Sequence, residues 1–150
     1  MEVEVKRVTT HKVRNITASA LLVSGVVLGG NAGTASAATT ALPSCSSGNV
    51  CVYWSSHFAD GMRGFYGNVN EYGLYSFNGS GGNINNNVAS VKNMDSTYHV
   101  MEYQYYNQTG WGFKVWKYGS VDSWGGREGY SEWSTLPDTR KNAFSSHEFY

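Results

Sequence analysis

Several side chains in this sequence could do chemistry, and their spacing decides what kind. His57, Asp60 and one of the many serines around them supply the parts of a Ser-His-Asp triad. No G-x-S-x-G elbow or comparable nucleophile context accompanies them, and an isolated histidine in a turn reads as a surface or packing residue. Asp122, Glu128 and Glu132 share one segment and could furnish the carboxylate pair of a glycoside hydrolase. With Arg127 among them they read more simply as a solvated loop. The chain is therefore read as a non-enzyme. The sequons at Asn78 and Asn107 read as incidental turns. Cys45 and Cys51 are the only cysteines. With no C-x-x-C and no second ligand cluster, a metal or redox site is the weaker reading. A disulfide closing a small loop is the stronger one, and on the chain-entropy model it contributes about 2 kcal/mol.

These residues must be positioned by a scaffold, and a repeat indicates which. Asn86-Asn87-Val88-Ala89-Ser90-Val91 and Lys141-Asn142-Ala143-Phe144-Ser145-Ser146 are small, polar segments of similar design. Each ends a long aromatic, glycine-rich stretch, the first opening at Cys51-Val52-Tyr53-Trp54 and the second at Val100-Met101-Glu102-Tyr103. A duplicated unit of roughly fifty residues implies two similar substructures packed on each other, since neither alone buries enough surface.

The first 37 residues read as a secretory signal peptide, with the domain occupying 38–150. Lys6, Arg7, Lys12 and Arg14 form a basic start, Ala18 to Leu28 is apolar or small, and Ala35-Ser36-Ala37 is an A-x-A site that leaves Ala38 at the new N-terminus. A membrane span needs about 20 apolar residues, and this run is shorter and interrupted by Ser24, Gly25, Gly29 and Gly30. The expectation is a chain free of the membrane after cleavage, extracellular and secreted. The protein has 11 basic and 11 acidic residues. Four of the bases and two of the acids (Glu2 and Glu4) fall in the leader, so the remainder carries seven against nine, a net charge of −2. That balance offers no basic footprint for nucleic acid.

Helix periodicity is nearly absent after residue 42. Strand patterns recur, in Val50-Cys51-Val52-Tyr53-Trp54 and over 98–106, where Met101, Tyr103 and Tyr105 share one face and Glu102 and Gln104 the other. Over 111–118, Trp111, Phe113 and Val115 face one way, and 88–93 and 145–150 read as the last strands of the two halves. Turns at Asp60-Gly61, Gly81-Gly82-Asn83, Thr109-Gly110, Tyr118-Gly119 and Gly125-Gly126 separate these runs. Strands at such spacing predict a sandwich or barrel. Segments 76–87 and 119–135 are the long irregular ones, the second packed through Trp124, Tyr130 and Trp133. After residue 37 the chain has eight Val, one Ile and three Leu but all 22 aromatic residues, so the core is expected to be built mostly from rings.

These residues resemble the βγ-crystallin superfamily, and more closely the secreted bacterial peptidase-inhibitor family built on that fold, over about 43–150. The likeness lies in the cysteine loop Pro43 to Cys51 leading into an aromatic strand, and in Tyr53, Phe58 and Gly61, placed to fold one ring onto another above a tight turn. In the second half Tyr103, Tyr106 and Gly110 or Gly112 stand in those places at looser spacing. The resemblance implies an all-β sandwich of two Greek-key motifs with an N-terminal disulfide loop. It also implies a calcium motif, matched by Asn86, Asn87 and Ser90 in one copy and Asn142, Ser145 and Ser146 in the other. Hard oxygens suit Ca²⁺, yet no carboxylate occupies a motif position and Lys141 opens the second copy. The simpler reading is that the serines hydrogen-bond across the hairpins and hold the fold, with no cofactor.

What remains is binding. The resemblance implies inhibition of an extracellular peptidase, metallopeptidases included, by a loop that fills the cleft as a substrate would. The sequence offers 119–135 for that loop, with Trp124, Arg127, Glu128 and Tyr130 as its contact residues. The alternatives are carbohydrate or cell-surface binding through Trp111, Trp116, Trp124 or Tyr130, and an antimicrobial activity.

Overall fold

The computed structural model describes residues 44–150. The expected signal peptide and the segment up to residue 43 lie outside the described residues. Among the described residues seven strands form in chain order: β1 Val50–Tyr53, β2 Met62–Phe65, β3 Ser90–Asn93, β4 Val100–Tyr105, β5 Thr109–Val115, β6 Glu132–Trp133 and β7 Ser146–Phe149. The helical elements among the described residues are two short 3₁₀ turns, Ser56–Phe58 and Tyr72–Leu74. Two antiparallel sheets result, one ordered β2-β1-β3-β6 and the other β5-β4-β7.

The two sheets exchange strands. β6 belongs to the second half but pairs with β3 of the first, Val91 opposite Trp133. Reciprocally, Val69 of the first half bridges to His147 in β7, with both backbone hydrogen bonds made at 3.0 and 2.9 Å. This is the interlocked pair of Greek keys that the resemblance implied. Symmetric hydrogen bonds fix the register of the halves: Asn142 N donates to Val88 O, and Asn86 N donates to Phe144 O. Asn86 therefore corresponds to Asn142 and Val88 to Phe144. The sequence comparison, which set Asn86 against Lys141, was one position out in the first copy. Three consecutive asparagines, Asn85 to Asn87, make that slip invisible to pattern alone.

The ring pair expected in the first hairpin is present, Tyr53 and Phe58 meeting edge-on at 5.4 Å. Its counterpart is absent from the second hairpin among the described residues. Gln108 takes the place of Phe58 there, with the same left-handed φ of 56°, and its amide donates to Val69 O and His147 O instead. Gly61 is required in the first turn, because a Cβ there would lie 1.6 Å from Ser80 O.

The interior corrects the expectation of a ring-built core. Its fully buried centre is mostly aliphatic, with Val50, Val52, Val88, Val91, Val100, Val115, Ile84 and Leu136 around Phe65, Tyr72, Phe77 and Phe144. The larger rings Trp111, Phe113, Trp133 and Phe149 pack on it from outside, only half buried. Eight valines suffice because seven of them are buried, five at inward strand positions. Cys45 and Cys51 are joined, with Cα atoms 5.9 Å apart, tying the N-terminal loop to β1.

Candidate functional site

The 119–135 segment carries the sequence-derived contact residues, and its backbone is closely tied. Asp122 Oδ1 accepts from Trp124 N and Gly126 N, both at 2.8 Å. Asp122 N donates to Gly126 O at 2.8 Å, and Gly125 N donates to Asp122 O at 3.1 Å. Gly125 has a φ of 83°, which only glycine adopts without strain. A side chain at Gly126 would press on the Asp122 carboxylate at 2.8 Å. The result is a tight turn that holds Trp124 out at 94% exposure. The sequence reading had this ring packed; it is not.

The other three residues brace the loop from within. The Arg127 guanidinium lies 4.2 Å over Tyr118 and 3.8 Å from Glu132, which also pairs with Lys92 at 3.7 Å. Glu128 Oε1 accepts Ser134 N at 2.9 Å. Tyr130 packs at a tilt against Trp116, ring centres 6.0 Å apart, and its carbonyl accepts Trp116 N. Arg127, Glu128 and Tyr130 thus position the loop, and Trp124 is the group that reaches outward.

The residues matched to a calcium motif are brought together unequally. Ser90 Oγ donates to Ser55 O and accepts Phe58 N, and Ser146 Oγ donates to Tyr105 O and accepts Gln108 N. Both serines fasten hairpins. At one corner Ser145 Oγ meets Asn86 Oδ1 at 3.3 Å, beside Asn85, whose Oδ1 is buried without a partner. At the symmetric corner Ala89 replaces Ser145 and Lys141 replaces Asn85, its ammonium 3.4 Å from Ser56 Oγ. The first corner offers neutral oxygens and the second offers a cation. This donor set does not fit the paired, charged oxygen sites that a hard dication demands. Among the described residues no three His, Cys, Asp or Glu cluster in a way that could hold a metal.

His57 lies in its turn at a φ of 62°. Its backbone N–H donates to Ser134 O, and no hydrogen bond links its ring to Asp60 among the described residues. His99 Nδ1 accepts Lys117 N at 3.0 Å, and burial together with Lys114 and Lys117 lowers its pKa. One cluster escaped the sequence reading. Glu102 on β4, Tyr72 in the second 3₁₀ turn and His147 on β7 are fully buried, and the Tyr72 hydroxyl is hydrogen-bonded to both of the others. Burial pushes Glu102 up to about 8, against the opposing effect of the Tyr72 hydrogen bond. Burial also draws His147 down to about 4 and, with Glu102, raises Tyr72 well above its ordinary value. Aligning the two halves would have exposed the cluster, since Glu102 and His147 pair across the strands where Val52 and Val91 pair in the first half.

Two interlocked Greek keys with exchanged third strands define a domain of the βγ-crystallin type. A solved structure bearing on the evolution of the eye-lens βγ-crystallin domain fold matches it with a TM-score of 0.55 at 17% identity, covering 73% of this chain and 93% of that one. A βγ-crystallin domain from Flavobacterium johnsoniae is similar at 20% identity and a TM-score of 0.49, covering 67% of this chain and 92% of that one. The first of these supports the fold and nothing further. No curated protein matches the chain. The chain belongs to peptidase inhibitor family I36, whose model matches residues 38–115. The match ends at Val115, the last residue of β5, so the 119–135 loop follows it.

Proposed function

We propose that this protein is a secreted inhibitor of an extracellular peptidase and that it engages the enzyme through the 119–135 loop, with the Trp124 ring entering a side-chain pocket of the cleft. Family membership supports inhibition. The observation that supports this loop is Trp124 itself, 94% exposed on a turn tied by four hydrogen bonds. A large ring held in water is stabilising only when a partner covers it, and a turn already fixed loses little freedom on binding. The turn closes on itself through Gly125 N and Asp122 O, so its backbone is not extended as a substrate's is. The ring therefore acts as the substrate's side chain would, and the turn resists cleavage.

The carbohydrate reading has less support, because a sugar platform uses adjacent open rings. Trp111 packs on Phe144 beneath Arg140, and Trp116 packs on His99 and Tyr130. The deciding experiment is titration of the purified protein against a panel of secreted metallo- and serine peptidases, with intact-mass analysis for a cut bond. Inhibition without cleavage is expected. No inhibition at micromolar protein would defeat the function, and binding to chitin, cellulose or peptidoglycan alone would favour the sugar reading.

A further inference from the structure

The two halves differ at one buried position, and the difference is chemical. In the first half Val52 and Val91 pair across strands, and Leu136 packs beside them, its N–H bonded to Ala89 O. In the second half Glu102 and His147 pair across strands, and Tyr72 occupies the place of Leu136, its N–H bonded to Ser145 O. All six side chains are within 1% of complete burial. The same fold is thus built once with an apolar trio and once with an acid, a phenol and an imidazole. Burying such groups is costly unless each is satisfied, so folding alone gives no reason for the second trio.

Its hydrogen bonds leave two placements for the protons. His147 Nε2 lies 2.9 Å from Gly67 O, a group that only accepts, so Nε2 carries a hydrogen. His147 Nδ1 lies 2.7 Å from Tyr72 Oη, which lies 2.7 Å from Glu102 Oε2. The phenol has one hydrogen for two contacts. Either a protonated Glu102 donates to Tyr72 and Tyr72 donates to a neutral His147, or an imidazolium donates to Tyr72 and Tyr72 donates to a carboxylate. Both hold the same number of protons. Glu102 Oε1 has no partner, which a carbonyl oxygen tolerates far better than a carboxylate oxygen. Phe65 and Phe149 flank His147 at 5.3 and 5.7 Å. Among the described residues no other charged group acts on Glu102 or His147. The neutral chain is the one these surroundings favour.

We propose that Glu102, Tyr72 and His147 form a pH-sensitive latch, closed as a neutral acid–phenol–imidazole chain, that fastens the 67–74 segment of the first Greek key onto the second sheet. That segment is held at two points, Gly67 through its carbonyl and Tyr72 through its phenol. Ionising Glu102 leaves a buried carboxylate whose one hydrogen bond is the one Tyr72 can donate, at the expense of the Tyr72–His147 bond, and opens the latch from the alkaline side. Protonating His147 removes the acceptor for Tyr72 and opens it from the acid side.

The signs follow from linkage. Glu102 is raised from 4.5 to about 8, so the unfolded chain releases its proton first and stability falls as pH rises between those values. His147 is lowered from 6.5 to about 4, so the unfolded chain takes up its proton first and stability rises with pH between those values. From 4.5 to 6.5 the two slopes cancel. From 6.5 to about 8 only Glu102 acts, and the unfolding constant rises roughly tenfold per pH unit.

Denaturant unfolding across pH, on the wild type and on Glu102→Gln, tests this. The glutamine amide can donate to Tyr72 as the acid does but cannot ionise. The wild type is expected to be flat to pH 6.5 and then to weaken. The variant is expected to be more stable than the wild type at pH 8 by roughly tenfold or more in the unfolding constant. Hydrogen exchange at the Val69 and Tyr72 amides should accelerate over the same alkaline range in the wild type alone. A wild type that holds constant from pH 6.5 to 8, or a Glu102→Gln protein weaker than wild type at pH 8, overturns the latch. The imidazole nitrogen shifts of wild-type His147 decide the protonation state without any variant. A neutral ring with hydrogen on Nε2 is expected at pH 6, and an imidazolium there overturns the proposal.

Discussion

Ser90 and Ser146 make the same pair of hydrogen bonds in the two halves of the molecule. Each fully buried hydroxyl donates to a hairpin carbonyl, Ser55 O at 2.7 Å or Tyr105 O at 2.6 Å, and accepts an N–H from the residue in the left-handed turn, Phe58 at 3.2 Å or Gln108 at 3.1 Å. Removing either hydroxyl leaves one backbone donor and one acceptor unpaired away from water. Ser90→Ala and Ser146→Ala are each expected to cost about 1–3 kcal/mol. Urea unfolding measures it, and a change below a few tenths would show that the hairpins hold without these bonds.

Gly61 and Gly67 separate two reasons for glycine. A Cβ at Gly61 meets the Ser80 carbonyl at 1.6 Å and Phe77 Cβ at 2.8 Å, so the backbone itself must move. Gly67 has a φ of 95° but open space where a Cβ would stand. Gly61→Ala is expected to cost about 3 kcal/mol or more, and Gly67→Ala about 1–2 kcal/mol from left-handed strain alone. Thermal unfolding of the two variants side by side checks the order, and equal losses would contradict it.

Much of this architecture was legible because local signals agreed. Turn glycines and alternating runs located β1, β4, β5 and β7, and the cysteine spacing gave the disulfide. The exchanged strand β6 is only Glu132–Trp133, too short to carry a period, and its pairing with β3 is a long-range event. The inward face of β4 was also hidden. Met101, Tyr103 and Tyr105 looked like the apolar side, yet Val100 and Glu102 point inward. Tyr72, 30 residues away, makes burial of Glu102 tolerable, and no local pattern reveals that partner. The 119–135 segment was read as irregular although it holds β6, and its rings were assigned by size. Trp124 stands out in water because the Asp122 turn turns it away from the core.

The calcium motif gives a negative expectation with a constructive control. Asn85, Asn86 and Ser145 supply neutral oxygens at one corner, while Lys141 and Ala89 stand at the other. Ca²⁺ needs several oxygens and is held tightly by carboxylates. Melting in millimolar Ca²⁺ and in EGTA is expected to coincide for the wild type. Lys141→Asp with Ala89→Ser restores a carboxylate and a hydroxyl, and that protein is expected to melt higher in Ca²⁺ than in EGTA. A wild type stabilised by Ca²⁺ would refute this reading of the donor set.

Trp124 and Asp122 divide the loop's proposed role into contact and positioning. Trp124 is almost wholly exposed and has no aromatic neighbour among the described ring pairs, so Trp124→Ala should change stability by less than about 0.5 kcal/mol. If its ring fills a pocket of the peptidase, the same change removes a central aromatic anchor, worth about 2 kcal/mol or more, and raises the inhibition constant roughly thirtyfold. Asp122→Ala keeps the ring but frees Trp124 N and Gly126 N from their shared acceptor. The ordering that the turn supplies must then be met on binding, about 0.5–1.5 kcal/mol for each side chain immobilised, and inhibition should weaken up to about tenfold. Inhibition constants for wild type, Trp124→Ala and Asp122→Ala against one sensitive peptidase measure both effects. A peptidase inhibited equally by all three would place the contact surface elsewhere on the domain.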